Sequence, residues 1–284
     1  MNSADVLAVV VSYNGLHQTQ LTVDALRGQV GHVVVVDNGS GPESQLVLRS
    51  LERDPGITVE RLASNRGVGH ALNVGVCRAR AMGYTWLLTM DQDSVVDGAL
   101  IRAYQAAVRR NPDRVCLAPR IAGNGAQRHA RNGVIHYAIT SGNLVRVSLF
   151  DTIGPYDEGF FIDCIDFDFS LRVRRAGHAL YRVADAVMSH QLGEAAAVPR
   201  FLRGYYALHS PTRRYYMYRN FLYMVERYAR EFPAFIAKLT LAQVLLTILI
   251  GFLDPHPLES YRAIIRAVRD YVARRSGPDV EPAR

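Results

Sequence analysis

Asp91-Gln92-Asp93 places two carboxylates two positions apart, directly after the apolar run Trp86 to Met90. On a loop leaving a strand, both can be aimed at one hard cation, with water and phosphate oxygens filling its shell; Mg²⁺ or Mn²⁺ suits such ligands. Taken alone, the triplet reads better as a solvated turn or helix cap, where Asp is common. A second acidic pair, Asp166 and Asp168, opens a helical pattern that runs into Leu171-Arg172. Residues i and i+2 do not share a helix face, so only one of the two can be aimed at a substrate as a general base. Simple capping by Asp166, with Arg172 as a surface partner, explains the same residues equally well. Asp163 is a third acidic candidate nearby, and His190 stands alone after a strand-like stretch, a setting in which histidine is more often structural than a ligand.

The elements that must position these groups alternate. Val6 to Val11 is apolar and mostly β-branched and stops at Ser12-Tyr13-Asn14-Gly15; a helical segment covers about Gln18 to Arg27. His32 to Val36 repeats the pattern and stops at Asp37-Asn38-Gly39-Ser40; Val59 to Leu62 leads to Asn65-Arg66-Gly67-Val68-Gly69 and a helix from about His70 to Met82. Short buried strands alternating with helices predict an α/β fold with a mostly parallel sheet covered on both faces. In such sheets ligands collect beyond the carboxyl ends of the strands, where loops converge and helix N-termini offer amide donors. The clusters Ser12–Asn14, Asp37–Ser40, Asn65–Gly69 and Asp91–Asp93 all sit at such ends, so one ligand could touch all of them. The second half is less regular. Strand-like pieces are expected near Val115 to Ala118 and Tyr137 to Ser141, a helix from about Cys164 to Arg175, and a strand from His178 to Val187; Gly123 to Gly133 is a lid candidate.

At 284 residues with 49% hydrophobic content, the chain can bury one large core with a smaller appendage. The expected boundary falls after residue 198, with 199–284 helical, basic and aromatic. Cys77, Cys116 and Cys164 are scattered and odd in number, which argues against a disulfide framework or thiolate zinc site and for a reducing cytoplasm. The start of the chain lacks the basic and apolar stretches of a secretory leader. A formal charge of +7 suits nucleic acid, an anionic membrane surface or phosphorylated substrates. Arg200, Arg203, Arg213, Arg214, Arg219, Arg227 and Arg230 interleave with Tyr205, Tyr206, Tyr215, Tyr216, Tyr218, Tyr223 and Tyr228, a belt that reads as a membrane-interface anchor rather than a base reader. Leu239 to Leu253 is nearly all apolar but falls short of the ~20 residues of a spanning helix, which predicts an interfacial or packing helix, with shallow insertion as the rival. A basic amphipathic helix over about Leu258 to Arg275 follows.

Taken in order, VVSYN at 10–14, VDNGS at 36–40, NRGVGHALNVG at 65–75, MDQDS at 90–94, SGNLV at 141–145, FFIDCIDFDFSLR at 160–172 and the late His190 resemble glycosyltransferase family 2, inverting enzymes of the A-type fold, over residues 6 to 190. RRYYMYRN at 213–220 resembles the rhamnosyltransferase branch. The resemblance implies an A-type catalytic domain with a Rossmann-like sheet and a helical C-terminal appendage. It puts Ser12, Tyr13, Asn14, Asp37, Asn38, Asn65, Arg66, Gly69, Asp91 and Gln92 around a nucleotide-sugar, with Asp37 accepting from the pyrimidine N3–H. It makes Asp91, Asp93 and His190 the holders of Mg²⁺ or Mn²⁺, with Asp93 the more direct ligand. Asp166 becomes the base and Asp168 its orienter or a diphosphate-side helper, and Ser141, Gly142, Asn143 and Asp163 lie on the acceptor side. Implied partners are a dTDP- or UDP-linked donor, dTDP-rhamnose foremost, a glycan or polyprenyl-diphosphate-linked acceptor, and the inner face of the cytoplasmic membrane as a peripheral attachment; nucleic acid is not among them.

Three other readings compete. The same fold could use UDP-galactofuranose, UDP-glucose or UDP-N-acetylglucosamine, and the residues do not choose. A dinucleotide-dependent oxidoreductase fails because Asn65 to Gly69 lacks the full GxGxxG and follows a third strand rather than the first. A nucleic-acid or membrane-surface binding module accounts for the charge but leaves the strand-end clusters without a purpose. Oligomeric state is left open.

Overall fold

The computed structural model describes residues 1–122, 130–190 and 209–279. They fall into two compact units: Met1–Glu158 with Ile165–Gln191, and Gly159–Cys164 with Leu192–Arg284.

In the first unit β1 (Val6–Ser12) is buried at every residue, so both its faces need cover, and a mostly β-branched apolar sequence supplies that. It pairs in parallel with β2 (His32–Asp37) on one side and β4 (Trp86–Asp91) on the other, and β2 pairs in parallel with β3 (Ile57–Arg61). The crossovers carry α1 (His17–Leu26), α2 (Gln45–Leu51) and α3 (Val68–Ala81). Gly75 lets α3 lie close on the sheet, since a Cβ there would sit 2.5 Å from Val9 Cγ2. The register aligns Ser12 with Asp37 and Val11 with Asp91, which brings three of the four polar clusters to one edge.

Beyond β4 the parallel rule ends. β8 (Asn143–Arg146) runs antiparallel to β4, and β6 (Cys116–Ala122) runs antiparallel to β8. β9 (Leu180–His190) is parallel to β6 and takes β5 (Ser94–Val96) and β7 (Gly133–Ile135) as antiparallel partners. Among the described residues the sheet is therefore mixed, with the order β3-β2-β1-β4-β8-β6-β9-β5 and β7 beside β9. The expected strand at Tyr137 to Ser141 does not form: its residues pass as a loop between β7 and β8. A fourth helix, α4 (Leu100–Arg110), packs against β9; α5 (Leu149–Ile153) and α6 (Ile165–Arg175) complete the unit. The lid candidate at Gly123 to Gly133 lies largely outside the described residues.

The second unit contains α7 (Pro211–Tyr228), α8 (Pro233–Leu253) and α9 (Pro257–Val272). One expectation reverses here and another is corrected in length. The Arg/Tyr belt is largely interior: Arg214 and Arg219 are each 1% exposed, and Tyr215, Tyr216, Tyr218, Tyr223 and Tyr228 are buried. Its members Arg200, Arg203, Tyr205 and Tyr206 lie outside the described residues. The apolar helix is mostly on the surface. It starts at Pro233, six residues before the run that the sequence marks, reaches 21 residues, and buries only Ile236, Gln243 and Ile250. Those positions recur every seven residues and form one stripe, while exposed Leu241, Val244, Leu245, Ile248 and Phe252 form a stripe on the opposite side.

Candidate active site

Gln92, the middle residue of the acidic triplet, ties two strand ends together. Its Oε1 accepts from the Tyr13 amide at 2.8 Å and from Ser12 Oγ at 3.2 Å, and its Nε2 donates to the Tyr13 carbonyl at 3.1 Å. Thr22 Oγ1 donates to the Gln92 carbonyl at 2.6 Å. Gly15 leaves room for this side chain, because a Cβ there would collide with Gln92 Oε1. Gln92 is thereby committed to holding the Ser12–Asn14 loop. Ser12 is itself fully buried and bonded to Thr19 Oγ1 at 2.9 Å.

The next loop is stitched to the first. Asn14, at φ 52°, donates its amide to Ser40 Oγ at 2.8 Å and accepts from the Gly41 amide at 2.9 Å. Asp37 is 2% exposed, and its Oδ1 accepts from the Ser40 amide at 3.0 Å, the turn-forming bond expected of Asp at such a position. Gly39, at φ 79°, passes so close to the third loop that a Cβ would lie 2.5 Å from the Ser64 carbonyl carbon. Asn38 Oδ1 accepts from the Arg66 amide and Asn65 Oδ1 from the Gly67 amide, both at 2.9 Å. Gly69 begins α3 buried, with no space for a side chain against the Asp157 carbonyl. The four sequence clusters thus form one continuous hydrogen-bonded rim.

At that rim Asp91, Asp93 and His190 each offer a ligand atom, and these atoms all lie within 4.8 Å of one another. β5 makes this possible: the antiparallel register sets Ser94 opposite His190, folding the end of β9 back onto the acidic turn. His190 Nδ1 is 2.7 Å from Ser94 Oγ and 3.3 Å from Asp93 Oδ1. The Asp93 carboxylate, helped by the charge of Asp91, raises the His190 pKa above its ordinary value although burial opposes the charged ring. A cradle that favours a proton on histidine favours a cation generally. Asp93 Oδ1 is moreover a buried carboxylate oxygen whose one near neighbour is the His190 ring at 3.3 Å, too poorly aligned for a regular hydrogen bond, and a metal ion would satisfy it. The donor set, two carboxylates and one imidazole, fits Mg²⁺ or Mn²⁺.

Ser94 is a residue of the candidate site that sequence reasoning passed over. Fully buried, it accepts from Ser141 Oγ at 2.7 Å, and Ser141 in turn accepts from the Asp91 amide at 3.0 Å. The only sequence signal was its place directly after the DQD triplet. Through this relay Ser141 braces the Asp91, Asp93 and His190 trio, while Gly142, at φ 80°, and buried Asn143 lead into β8 beside it.

The two aspartates of α6 part as helix geometry requires. Asp168 is 1% exposed and accepts from Arg172 Nε at 2.8 Å; Arg172 also donates to the Ile153 carbonyl at 2.7 Å. Arg172, itself half-buried, is therefore the partner of buried Asp168 rather than a surface partner of Asp166. Asp166 stays half-buried on the first turn of α6. That helix is bound to the loop before Ser141 by Ala138, whose amide donates to Ser170 Oγ at 3.3 Å, and by the edge-on packing of Tyr137 on Phe167. Asp163 belongs to the second unit, where Arg213 binds its carboxylate at 3.0 and 3.2 Å.

Comparison with known proteins gives a consistent result. The family model for glycosyl transferase family 2 matches residues 7–163. Among curated proteins, the dTDP-rhamnosyl transferase RfbF of Shigella flexneri is 28% identical over 240 residues, covering 78% of this chain and 79% of the relative. Among solved structures, GalNAc-T7 with UDP, GalNAc and Mn²⁺ superposes with a TM-score of 0.62 at 15% identity, over 94% of this chain but only 55% of that one. TarS residues 1–349 of S. aureus, in complex with UDP-GlcNAc, gives a TM-score of 0.62 at 16% identity, over 96% of this chain and 81% of that one. These likenesses show the A-type glycosyltransferase fold.

Proposed function

The chain belongs to glycosyl transferase family 2 and binds a nucleotide-sugar donor, and from that premise we propose that it transfers L-rhamnose from dTDP-rhamnose, with inversion, to a lipid-linked or polysaccharide acceptor at a membrane surface. The observation that carries the transfer chemistry is the trio Asp91, Asp93 and His190, whose ligand atoms converge at the rim. The rhamnose assignment is supported by the likeness to a dTDP-rhamnosyl transferase over most of both chains.

A divalent ion held by these three residues would supply Lewis-acid stabilisation to the departing diphosphate. The rim loops hold the nucleotide, Asp37 facing the pyrimidine, and their mutual hydrogen bonds fix the donor's orientation before reaction. Asp166 removes the proton from the attacking acceptor hydroxyl, which approaches the anomeric carbon opposite the diphosphate. Asp168, locked to Arg172, fixes the helix that carries this base.

The membrane reading rests on α8 and α9. The outward stripe of α8 is apolar, and α9 exposes Leu258, Ile265, Val268 and Val272 on one face beside exposed Arg262 and Arg269. Apolar stripes flanked by arginine suit an anionic bilayer surface on the cytoplasmic side. Although α8 has the length of a span, with a mean hydropathy of 2.1, its inner stripe is engaged along the helix: Tyr218 donates to the Gln243 carbonyl at 3.2 Å and Tyr261 to the Thr247 carbonyl at 3.0 Å. That engagement supports an interfacial helix over a crossing one.

Calorimetry of the purified chain with dTDP-rhamnose, UDP-galactofuranose, UDP-glucose and UDP-N-acetylglucosamine, each with and without Mn²⁺, tests the donor. Metal-dependent binding of dTDP-rhamnose that Asp93→Ala abolishes is expected. Preference for a UDP-sugar would discard rhamnose, and metal-independent binding would discard the role of the trio.

A further inference from the structure

The motif Arg213 to Asn220 does more than fill the helical core. Its side chains close on Gly159–Cys164, the short stretch of the second unit that runs by chain continuity into α6, where Asp166 is the second residue. That stretch is conformationally costly. Phe161, Asp163 and Cys164 all have left-handed backbones, at φ 62°, 63° and 65°, although none is glycine. Such a run persists only where surrounding groups over-determine it.

Asn220, fully buried, supplies much of that constraint. Its amide nitrogen donates to the carbonyls of Phe160 and Ile162, both at 2.7 Å, and to that of Asp163 at 3.1 Å. The amide cannot flip, because its Oδ1 accepts from Arg219 Nε at 3.2 Å and Nη2 at 3.1 Å. The same guanidinium donates to the Gly159 carbonyl at 3.0 Å and to the Gly277 carbonyl at 2.8 Å. Arg213 holds the Asp163 carboxylate. Four carbonyls of a six-residue segment are thus gripped by two adjacent side chains of α7.

We propose that Asn220, oriented by Arg219, is a positioning residue for catalysis: by fixing the left-handed run before α6 it sets where the Asp166 carboxylate stands. The inference rests on the reading of Asp166 as the base. It also gives Asp163 a scaffold role in place of an acceptor-side one. A carboxylate base acts over hydrogen-bond distance, so a shift of about an ångström costs turnover on the order of 100-fold without touching donor affinity.

The test uses the full chain, dTDP-rhamnose and Mn²⁺, following dTDP release by donor hydrolysis, in which water takes the sugar in place of the acceptor hydroxyl, across pH alongside calorimetric donor affinity and stoichiometry. If the panel above selects another nucleotide sugar, that one is the probe. Asn220→Leu keeps the volume and removes the donors; Asn220→Ser keeps one donor and is the variant to use if the first does not fold. Both are expected to lower kcat by roughly 10- to 100-fold with donor Kd and stoichiometry unchanged, and to displace the acidic limb of the kcat profile. Full turnover in the soluble Asn220 variants would overturn the proposal. So would a loss matched by falling stoichiometry with an unmoved pH profile, since that is a folding defect only. Asp166→Asn is measured separately: if it retains turnover and the acidic limb, the base reading fails whatever Asn220 does, and the positioning role fails with it.

Discussion

The two units handle their polar residues in opposite ways. In the first, polar clusters sit at strand ends and bond to one another's backbones, leaving carboxylates collected around an open rim. In the second, Arg214, Arg219 and five tyrosines of α7 are interior, other arginines such as Arg213, Arg227 and Arg230 are exposed, and many apolar side chains of α8 face outward. The difference teaches where sequence pattern determines exposure. A polar turn after a strand buried on both faces can only emerge at the sheet edge. A helix carrying Arg or Tyr at half of its positions, as α7 does, has no such constraint, because both side chains combine an apolar body with a polar tip and can be interior once the tip is bonded.

The sharpest way to break this contrast is Arg214→Met. Arg214 Nη2 and Nε lie 2.8 and 3.0 Å from Asp254 Oδ2, at the junction of α8 and α9, and Ser260 donates to the same oxygen at 2.8 Å. Burial opposes the charged form of Asp254, yet the His256 amide, Ser260 and Arg214 together hold its pKa below the usual carboxylate value. Removing one partner of a buried ion pair leaves the other uncompensated, at a cost of about 3–5 kcal/mol. Urea unfolding read at two signals separates the units, since the single tryptophan, Trp86, lies in the first, while helicity is shared between α1 to α6 of the first and α7 to α9 of the second. Part of the helicity is expected to be lost at lower urea, with the remainder and the tryptophan transition unmoved. A joint shift would show that the units unfold as one and that the contrast has no thermodynamic meaning.

A second test sharpens the exposed side. Leu241→Ser with Phe252→Ser removes two side chains that are 60% and 82% exposed, so stability should change by no more than about 0.5 kcal/mol. Loss of the burial that an interface would give them, about 1.5–3 kcal/mol for each large apolar side chain, should weaken binding to vesicles containing anionic phosphatidylglycerol by at least tenfold. Unchanged sedimentation with vesicles would remove α8 from the membrane reading.

Legibility in the sequence follows the same division. β1, β2, β4 and the residues at their ends were readable because buried parallel strands are continuous apolar runs and the following turn chemistry is explicit. The antiparallel return of β8 and the β5–β9 pairing were not readable: β5 is three residues long, and only tertiary pairing brings His190 beside Asp93. That is also why Ser94 was missed. Asp166 and Asp168 were separable by helix periodicity alone, but the choice of Asp168 as Arg172's partner needed the structure, since i,i+4 pairing and capping were both open. In α8 the helix start at Pro233 extends the apolar run, and exposure depends on what α7 and α9 leave uncovered.

The smallest effect expected is in the first unit, at Glu158. Partial burial opposes its charge, but the side chains of Asn73 and His70, at 2.9 and 2.8 Å, hold its pKa below the ordinary value. A depressed carboxylate contributes stability that is complete above its unfolded pKa, near 4.5, and is lost as pH falls through the lower folded value. Because the side chain is 43% exposed, solvent screening keeps the contribution to about 0.5 kcal/mol. Glu158→Gln should therefore fall slightly below the parent in urea at pH 7 and lie closer to it at pH 3, read at the tryptophan signal. A larger loss at pH 3 than at pH 7 would reverse the sign and show that the Asn73 and His70 bonds do not favour the ionised form.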